Sequence, residues 1–213
     1  MSALLPAVKT YVESRMGEFG SIAHTRRPEL MGLARYVEGQ LKAGRPADLT
    51  FICTHNSRRS HMAQIWAQTA ATHFKLAGVR TFSGGTEATA FNERAVRAIR
   101  NAGCLVEEND RERNPRYLVR FSGDADPIVC YSKRYDDRPN PQRDFCAVMT
   151  CSQADEACPV VFGASRRISI PYEDPKEYDG TEEEHQKYEE RCAEIAREMI
   201  YVFSHVDVGS KGE

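Results

Sequence analysis

Apolar side chains recur at helical spacing in the first part of the chain. The two stripes comprise Leu5, Val8, Val12 and Met16, followed by Leu30, Leu33, Val37 and Leu41. Residues three and four positions apart share one face of a helix, so the stripes predict two helices. The stretches "GEFGS" and "AGRPAD" separate and end the pair. We interpret residues 1–47 as an N-terminal helical extension that serves packing, with its helices as the candidate interface of a homodimer.

From residue 48 onward, short apolar runs alternate with amphipathic stretches. The runs "DLTFIC" and "VRTFSGG" predict strands, and residues 60–73 between them have helical periodicity. Asn92 is a candidate N-cap for the next helix. The inward face of that helix is expected to comprise Ala95, Val96 and Ile99. The order strand, helix, strand, helix predicts an α/β fold with a parallel sheet and flanking crossover helices.

The same alternation returns after residue 144. The runs "FCAVMTC" and "RRISIP" predict two further strands. Thr181 and Glu184 have the spacing of a capping box ahead of a last helix. The buried face of this helix is expected to comprise Tyr188, Cys192, Ile195, Met199 and Phe203. These elements complete a domain that we assign to residues 48–207.

Residues 107–144 interrupt the alternation. The stretches "EENDRERNPRY" and "SKRYDDRPNPQRD" are charged, contain proline and have no period, while "DPIVCY" between them is a candidate strand. We interpret this segment as an insertion, a hairpin or a long surface loop. It is expected to shape access to a site or to contact a partner.

Composition narrows the class of protein. The 213 residues, 41% of them apolar, fit one domain with additions or at most two small ones. A net charge of −2 argues against a nucleic-acid-binding surface, and no apolar run approaches the roughly 18 residues of a membrane span. The N-terminus lacks the pattern of a signal peptide. Seven irregularly spaced cysteines indicate mostly free thiols, so we expect a cytoplasmic protein.

The stretch "FICTHNSRRS" places Cys53 at the junction of a predicted strand and a predicted helix. Backbone N–H groups converge in such a loop and the helix N-terminus adds partial positive charge, so the loop suits an oxyanion. The same field favours the thiolate form of Cys53. Arg59 can clamp the anion with its planar guanidinium, and Ser60 can cap the helix or donate a hydrogen bond to the sulfur. Together they suit nucleophilic attack on a tetrahedral oxyanion.

The longer stretch "FICTHNSRRSHMAQIWA" resembles the phosphate-binding loop and first helix of the low-molecular-weight protein tyrosine phosphatase superfamily. It is most similar to the thioredoxin-coupled arsenate reductases of that superfamily, whose usual loop reads C-T-G-N-S-C-R-S. "TFSGGTEATAFNERAVRAIRNAG" is similar to their next strand and helix. The resemblance covers residues 48–106 and 146–205 and implies a flavodoxin-like fold with catalytic roles for Cys53, Arg59 and Ser60. The implied oxyanion-binding residues are Thr54, His55, Asn56, Ser57, Arg58 and Arg59.

Two positions of the loop depart from the pattern of the family. His55 replaces the usual glycine, and Arg58 replaces the usual cysteine. Arg58 adds positive charge near the anion, and its side chain is expected to point outward into solvent. Some reductases of this family also bind potassium near the loop; Asn56 and Ser83 match that pattern, but Gln64 stands where a glutamate is usual. We therefore predict no metal, and no cofactor.

A second pair of cysteines lies in "MTCSQADEACPVVFG". Cys158 follows Cys151 by seven residues, and on an unbroken helix that spacing puts the two side chains about 10 Å apart. A disulfide needs Cα atoms within about 7 Å, so a pairing would require the segment to bend or unwind. The stretch is similar to C-S-D-A-D-x-x-C-P, the resolving-cysteine segment of thioredoxin-coupled arsenate reductases. That resemblance implies redox roles for both cysteines, and plain phosphatases of the superfamily lack the pair.

Two Asp-Pro pairs are candidates for a general acid that protonates the departing oxygen. Asp174 lies in "IPYEDPKEYDG" after the last predicted strand and matches the late D-P loop of the family. Asp126 lies in "GDADPIVCY" within the insertion. We favour Asp174. Lys176 stands where the tyrosine phosphatases of the family often have a tyrosine, so recognition of a phosphotyrosine ring has less support.

The resemblance implies arsenate reduction, in which Cys53, Cys151 and Cys158 act in turn and a thioredoxin-like reductant resets the chain. Hydrolysis of phosphotyrosine or aryl phosphates through a cysteinyl-phosphate intermediate is the alternative. A non-catalytic oxyanion or redox sensor is a third interpretation. The cysteine pair distinguishes reduction from hydrolysis, because hydrolysis needs only Cys53, Arg59 and an acid.

Overall fold

The structure is a computed structural model that describes residues 3–110, 112–157 and 160–209. Its helices and strands are α1 (Pro6–Met16), α2 (Arg27–Lys42), β1 (Ala47–Cys53), α3 (Arg59–His73), β2 (Val79–Gly85), α4 (Glu93–Asn101), β3 (Leu105–Glu108), β4 (Tyr117–Arg120), β5 (Ile128–Cys130), β6 (Phe145–Met149), α5 (Ser152–Ala157), β7 (Ala164–Ser169) and α6 (Glu184–Ser204). None of the helices in these ranges is both long and apolar enough to cross a membrane.

A four-stranded parallel sheet forms the centre of the molecule in the order β2-β1-β6-β7. Every residue of β1 and of β6 is buried. Central parallel strands are covered by helices on both faces, which is why these two read as nearly continuous apolar runs. The structure confirms the predicted α/β fold with its parallel sheet and flanking helices.

The N-terminal helices belong to the main core. Val8, Val12 and Leu30 are fully buried within the chain itself. The ring of Tyr11 on α1 stacks on Trp66 of α3, with centroids 5.0 Å apart. The two predicted helices are present, but their apolar stripes are used inside one chain. The homodimer therefore stays a prediction that these stripes do not support.

The insertion contains a small antiparallel sheet in the order β3-β4-β5. The strand predicted in "DPIVCY" is present as β5, whereas β3 and β4 were not predicted because their sequences are short and charged. The insertion also meets the N-terminal extension, since the backbone N–H of Leu5 donates to the carbonyl of Phe121 at 3.0 Å. The two added regions thus contact each other.

Of the two helix caps that the sequence predicts, one is confirmed and one is wrong. The Asn92 side chain accepts the backbone N–H of Arg94 at 3.0 Å, which confirms that cap. The predicted capping box is wrong, because the Thr181 hydroxyl donates to the Tyr178 carbonyl at 2.8 Å and Glu184 accepts the N–H of Gly180 at 2.8 Å. A turn ahead of the helix satisfies both groups, and α6 begins only at Glu184.

Candidate active site

The ends of two neighbouring strands bring Cys53 and Cys151 into one region. Ile52 of β1 pairs with Met149 of β6, and the N–H of Thr150 donates to the Ile52 carbonyl at 2.7 Å. Cys53 follows Ile52 and Cys151 follows Thr150, and the two cysteines are 4% and 1% exposed. Both belong to one small apolar cluster beside the main core. Residues that are 98 positions apart in sequence therefore become neighbours because β1 and β6 are parallel.

The loop after β1 directs a hydrogen bond at the Cys53 sulfur. Cys53 Sγ lies 3.1 Å from Ser60 Oγ, and the Asn56 side-chain amide donates to the same Ser60 oxygen at 2.8 Å. Since that oxygen already accepts from Asn56, its own proton is available for the sulfur. The geometry fits the nucleophile expected at Cys53.

The loop depends on glycine at the end of β2. A Cβ atom at Gly85 would lie 2.7 Å from the backbone N of Asn56 and 2.2 Å from the Glu87 carbonyl oxygen. Every other residue has a Cβ atom that would clash at these distances, so the loop can pass this close to the strand end only where residue 85 is glycine. The run "SGG" thus marks where loop and strand meet. Asn56 itself has a φ of 45°, a left-handed conformation that asparagine tolerates better than most residues.

Two residues of the insertion donate hydrogen bonds to the Cys53 loop. The sequence analysis did not predict them. The Ser132 hydroxyl donates to the His55 carbonyl at 2.8 Å, and the backbone N–H of Lys133 donates to the Asn56 side chain at 3.0 Å. Ser132 is fixed in turn by a two-way contact with Asn114. The segment has no periodicity and no known motif, so no local signal could have assigned this role.

Arg59 opens α3 and reaches the opposite wall of the site. Its guanidinium donates to the Tyr172 carbonyl at 2.7 Å and to Asp174 Oδ2 at 2.6 Å. The Nε–H of Arg59 is buried and has no acceptor among the described residues. This donor remains for an oxyanion in the loop, and the fork of the guanidinium suits one.

The structure separates the two candidate acids. Asp174 sits beside Arg59, and its other carboxylate oxygen caps the short 3-10 helix Pro175–Tyr178 by accepting the Lys176 N–H at 3.1 Å. Asp126 is exposed in the connection between β4 and β5. Asp174, rather than Asp126, therefore shares the site with the loop.

A cavity of about 670 Å³ opens over these residues. Its lining comprises His55, Arg59, Cys151, Ser152, Gln153, Tyr172, Glu173, Asp174, Lys176 and Glu177. One chamber therefore gives access to the arginine clamp, the candidate acid and the second cysteine. A site of this size accepts a small oxyanion together with an approaching thiol or an aryl group.

The remaining loop residues have different surroundings. Thr54 Oγ1 lies 3.5 Å from Cys151 Sγ, and the Ser57 carbonyl accepts the Asn92 N–H at 2.9 Å. The Arg58 side chain is only 11% exposed and donates to the Tyr188 hydroxyl at 2.7 Å. The expectation that Arg58 points into solvent is wrong, because α6 offers it an acceptor close to the loop.

Cys151 precedes the short helix α5. Its sulfur accepts the backbone N–H of Ala154 at 3.3 Å. Ser152 and Gln153, the first two residues of α5, are exposed. Cys158 lies outside the described residues, so its role stays a prediction from sequence.

Four further cysteines lie in the main core. Burial raises the pKa of Cys130, Cys146 and Cys192 to about 12, and it raises the pKa of Cys104 further still. A thiol of such a high pKa is not a nucleophile near neutral pH. These residues are inert packing groups, as their apolar sequence neighbourhoods predicted.

The residues that could hold potassium do not fit that ion. Asn56 Oδ1 already accepts the Lys133 N–H at 3.0 Å, and Ser83 Oγ lies 3.2 Å from His61 Nδ1. Gln64 carries no charge and donates to a carbonyl of β2 at 3.0 Å. Lys133 itself is 5% exposed, and burial lowers its pKa to about 8. Gln64 Oε1 is buried and has no hydrogen-bond partner among the described residues. The positive charge of the buried Lys133 ammonium group, which also acts on His61, opposes a second cation there.

Similar proteins are found both by sequence and by structure. No protein-family model matches the chain. The arsenate reductase of Bacillus licheniformis is 28% identical over 156 residues, which are 72% of this chain and 92% of that protein. The arsenate reductase of Bacillus subtilis is 28% identical over 135 residues, which are 63% and 78% of the two chains. Among solved structures, a YwlE mutant from Bacillus subtilis shares the fold with a TM-score of 0.50 and 15% identity, covering 74% of this chain and 97% of that one.

Proposed function

We propose that this chain, which is similar in sequence to bacterial arsenate reductases, belongs to the low-molecular-weight protein tyrosine phosphatase superfamily and reduces arsenate to arsenite. The observation that supports reduction is Cys151, placed at the strand end beside the Cys53 loop and lining the same cavity as Arg59 and Asp174. A hydrolase would have no use for a second thiol at this place.

The first step is attack of the Cys53 thiolate on arsenic. The loop N–H groups and Arg59 hold the oxyanion, and Ser60 stabilises the thiolate until it attacks. A new sulfur–arsenic bond forms, and an arsenic–oxygen bond breaks with a proton supplied by Asp174. The entering oxyanion competes with the Asp174 carboxylate for the N–H groups of Arg59. Once released from Arg59, the carboxyl group of Asp174 can carry the proton that the departing oxygen takes.

The second step transfers electrons to arsenic. The Cys151 thiolate attacks the Cys53 sulfur, a disulfide forms, and the electron pair of the sulfur–arsenic bond stays on arsenic. As(V) thereby becomes As(III) and leaves as arsenite. Cys158 then attacks Cys151, which releases Cys53 as a thiolate and leaves a Cys151–Cys158 disulfide. A thioredoxin-like dithiol reduces this disulfide and is itself oxidised.

Two assays on the same sample test the proposal. One measures arsenate-dependent consumption of NADPH in the presence of thioredoxin and thioredoxin reductase, and the other measures hydrolysis of an aryl phosphate. We expect arsenate-dependent turnover together with weak hydrolysis, because arsenate and phosphate have similar shape and charge. Hydrolysis without any arsenate-driven disulfide in the wild-type protein would instead favour the phosphatase.

A further inference from the structure

Arg26 connects the N-terminal extension to the wall that carries the candidate acid. It lies just before α2 and donates through Nη2 to the Pro171 carbonyl at 2.9 Å. Its Nε and Nη2 also contact both carboxylate oxygens of Glu198 on α6, at 3.0 to 3.1 Å. A bidentate pair of this kind fixes the plane of the guanidinium. Arg26 is thus held by α6 and holds the chain at Pro171.

Tyr172 lies between two arginines. Its ring packs 5.0 Å from the guanidinium of Arg26, and its carbonyl accepts the guanidinium N–H of Arg59 at 2.7 Å. Its side chain is 5% exposed, so it cannot move without disturbing the core. Asp174, two residues further on, takes the other donor of Arg59. A shift of the backbone at Pro171 would therefore change both acceptors of the clamp.

Arg26 itself belongs to the part of the chain that the resemblance to known reductases does not cover. The side chains of Arg26 and Glu198 are 19% and 5% exposed, so their pair is shielded from solvent and from screening by salt. Breaking a shielded pair leaves an uncompensated charge beside the Pro171 carbonyl. The backbone there would have to adjust.

We propose that Arg26 is a positioning residue for the active site. The N-terminal extension, through Arg26, sets the backbone at Pro171 and Tyr172 so that the Tyr172 carbonyl and Asp174 meet Arg59 in one orientation. This inference rests on the proposed function, because it assigns a purpose to the geometry of the same clamp and acid.

The test compares Arg26→Met with a matched control, Arg197→Met. Arg197 is 20% exposed and also joins α6 to the extension, through Glu18 at 3.3 Å, but it donates no hydrogen bond to residues 171–174. Arg26→Met is expected to lose more thermal stability than Arg197→Met, because the Arg26–Glu198 pair is more buried than the Arg197–Glu18 pair. Arg26→Lys keeps the charge and one of the donors, so it should restore part of any functional loss if Arg26→Met folds poorly.

The first readout is binding of inorganic phosphate to each variant in a Cys53→Ser background, measured by calorimetry. We expect Arg26→Met to weaken binding about tenfold, the effect of roughly one charge-assisted hydrogen bond, and Arg197→Met to leave it unchanged. Equal affinities of the two variants, or no phosphate binding by the Cys53→Ser parent, would overturn the positioning role. This readout does not require turnover, so it decides the inference even if arsenate reduction is disproved.

The second readout is the dependence of hydrolysis on the leaving group. A displaced acid harms a poor leaving group more than a good one. Arg26→Met should therefore lower kcat/KM by about 10- to 100-fold for phenyl phosphate and by less for 2,4-dinitrophenyl phosphate. The difference should shrink in an Asp174→Asn background, because the two residues then act through the same group. A uniform loss for both esters would point to general destabilisation and contradict the proposal.

Discussion

The two cysteine segments at neighbouring strand ends are held in different ways. The Cys53 loop is tied to α3 by the hydrogen bonds of Cys53 and Asn56 with Ser60, and to the insertion by the hydrogen bond from Ser132. The Cys151 segment is held mainly through Asp155, whose carboxylate accepts the Ser169 hydroxyl at 2.7 Å and whose carbonyl accepts a guanidinium N–H of Arg167 at 2.6 Å. Further along, Val160 and Phe162 are 63% and 79% exposed.

This difference fits two different tasks. A site that stabilises an oxyanion works best when its donors are already in place, because no reorganisation is then needed during the reaction. A thiol that must pair with two different sulfurs has to change position between the steps, since each disulfide requires close approach of its Cα atoms. We therefore expect the Cys53 loop to stay fixed during the reaction and the Cys151 segment to change position. Four experiments test this contrast.

Cys53→Ser should have the largest effect. Removing the nucleophile should lower both arsenate reduction and aryl phosphate hydrolysis by on the order of 10⁴-fold or more. Phosphate binding should persist, because the donors around the anion do not include this sulfur. Activity assays and calorimetry on one sample measure both properties. Full activity of the variant in either assay would show that Cys53 is not the nucleophile of that reaction.

Cys151→Ser should separate the two reactions. Arsenate turnover with thioredoxin should stop and leave the Cys53–arsenic adduct in place, whereas aryl phosphate hydrolysis should be largely retained. Cys158→Ser should allow one turnover and trap a Cys53–Cys151 disulfide. Mass spectrometry of non-reduced peptides detects each species. Continued arsenate turnover by Cys151→Ser would show that the second segment has no redox task.

Arg59→Lys should show how much anion binding by the Cys53 loop depends on the planar guanidinium group of Arg59. Lysine keeps the charge but cannot contact the Tyr172 carbonyl, Asp174 and an anion in one plane. Loss of one or two charge-assisted hydrogen bonds, about 1.5–3 kcal/mol, predicts phosphate binding about 10- to 100-fold weaker. Arg97→Lys is the control, since Arg97 is half exposed and pairs with Glu184. Unchanged affinity in Arg59→Lys would mean that charge alone suffices.

Lys133→Met should have the smallest effect and concerns stability. Burial lowers the pKa of Lys133 to about 8, so between about pH 8 and 10.5 the unfolded chain binds this proton more tightly than the folded one. The unfolding free energy of the wild-type protein should therefore rise with pH across that window, by about 3 kcal/mol from this group.

The comparison of the two proteins isolates that contribution. Lys133→Met should be the more stable protein at pH 7 and should lack the rise, as measured by urea unfolding at pH 7, 8.5 and 10. The other charged or titratable groups that act on Lys133 are Cys130, Asp137 and His61, and they are present in both proteins. Parallel stability profiles for the two proteins would contradict a buried charge at this position.

Local patterns in the sequence were sufficient to predict the elements and to propose Cys53 as the nucleophile. β1, β2 and α3 lie where short apolar runs and helical periodicity predicted them, and the Asn92 cap is confirmed. Cys53 could be assigned because its chemistry depends on a single strand-to-helix junction, within which the nucleophile, the clamp and the serine are at most seven residues apart. Such short-range relations are encoded directly in the order of residues.

Tertiary structure alone decided what surrounds that junction. The acceptors of Arg59 lie 113 and 115 residues away, and Arg26 meets Glu198 across 172 residues. The charged insertion supplies Ser132 and Lys133 to the back of the loop although its sequence has no period. Contacts of this range arise only when the sheet and its helices have packed, because any one polar residue on the chain could pair with many others until folding selects its neighbour.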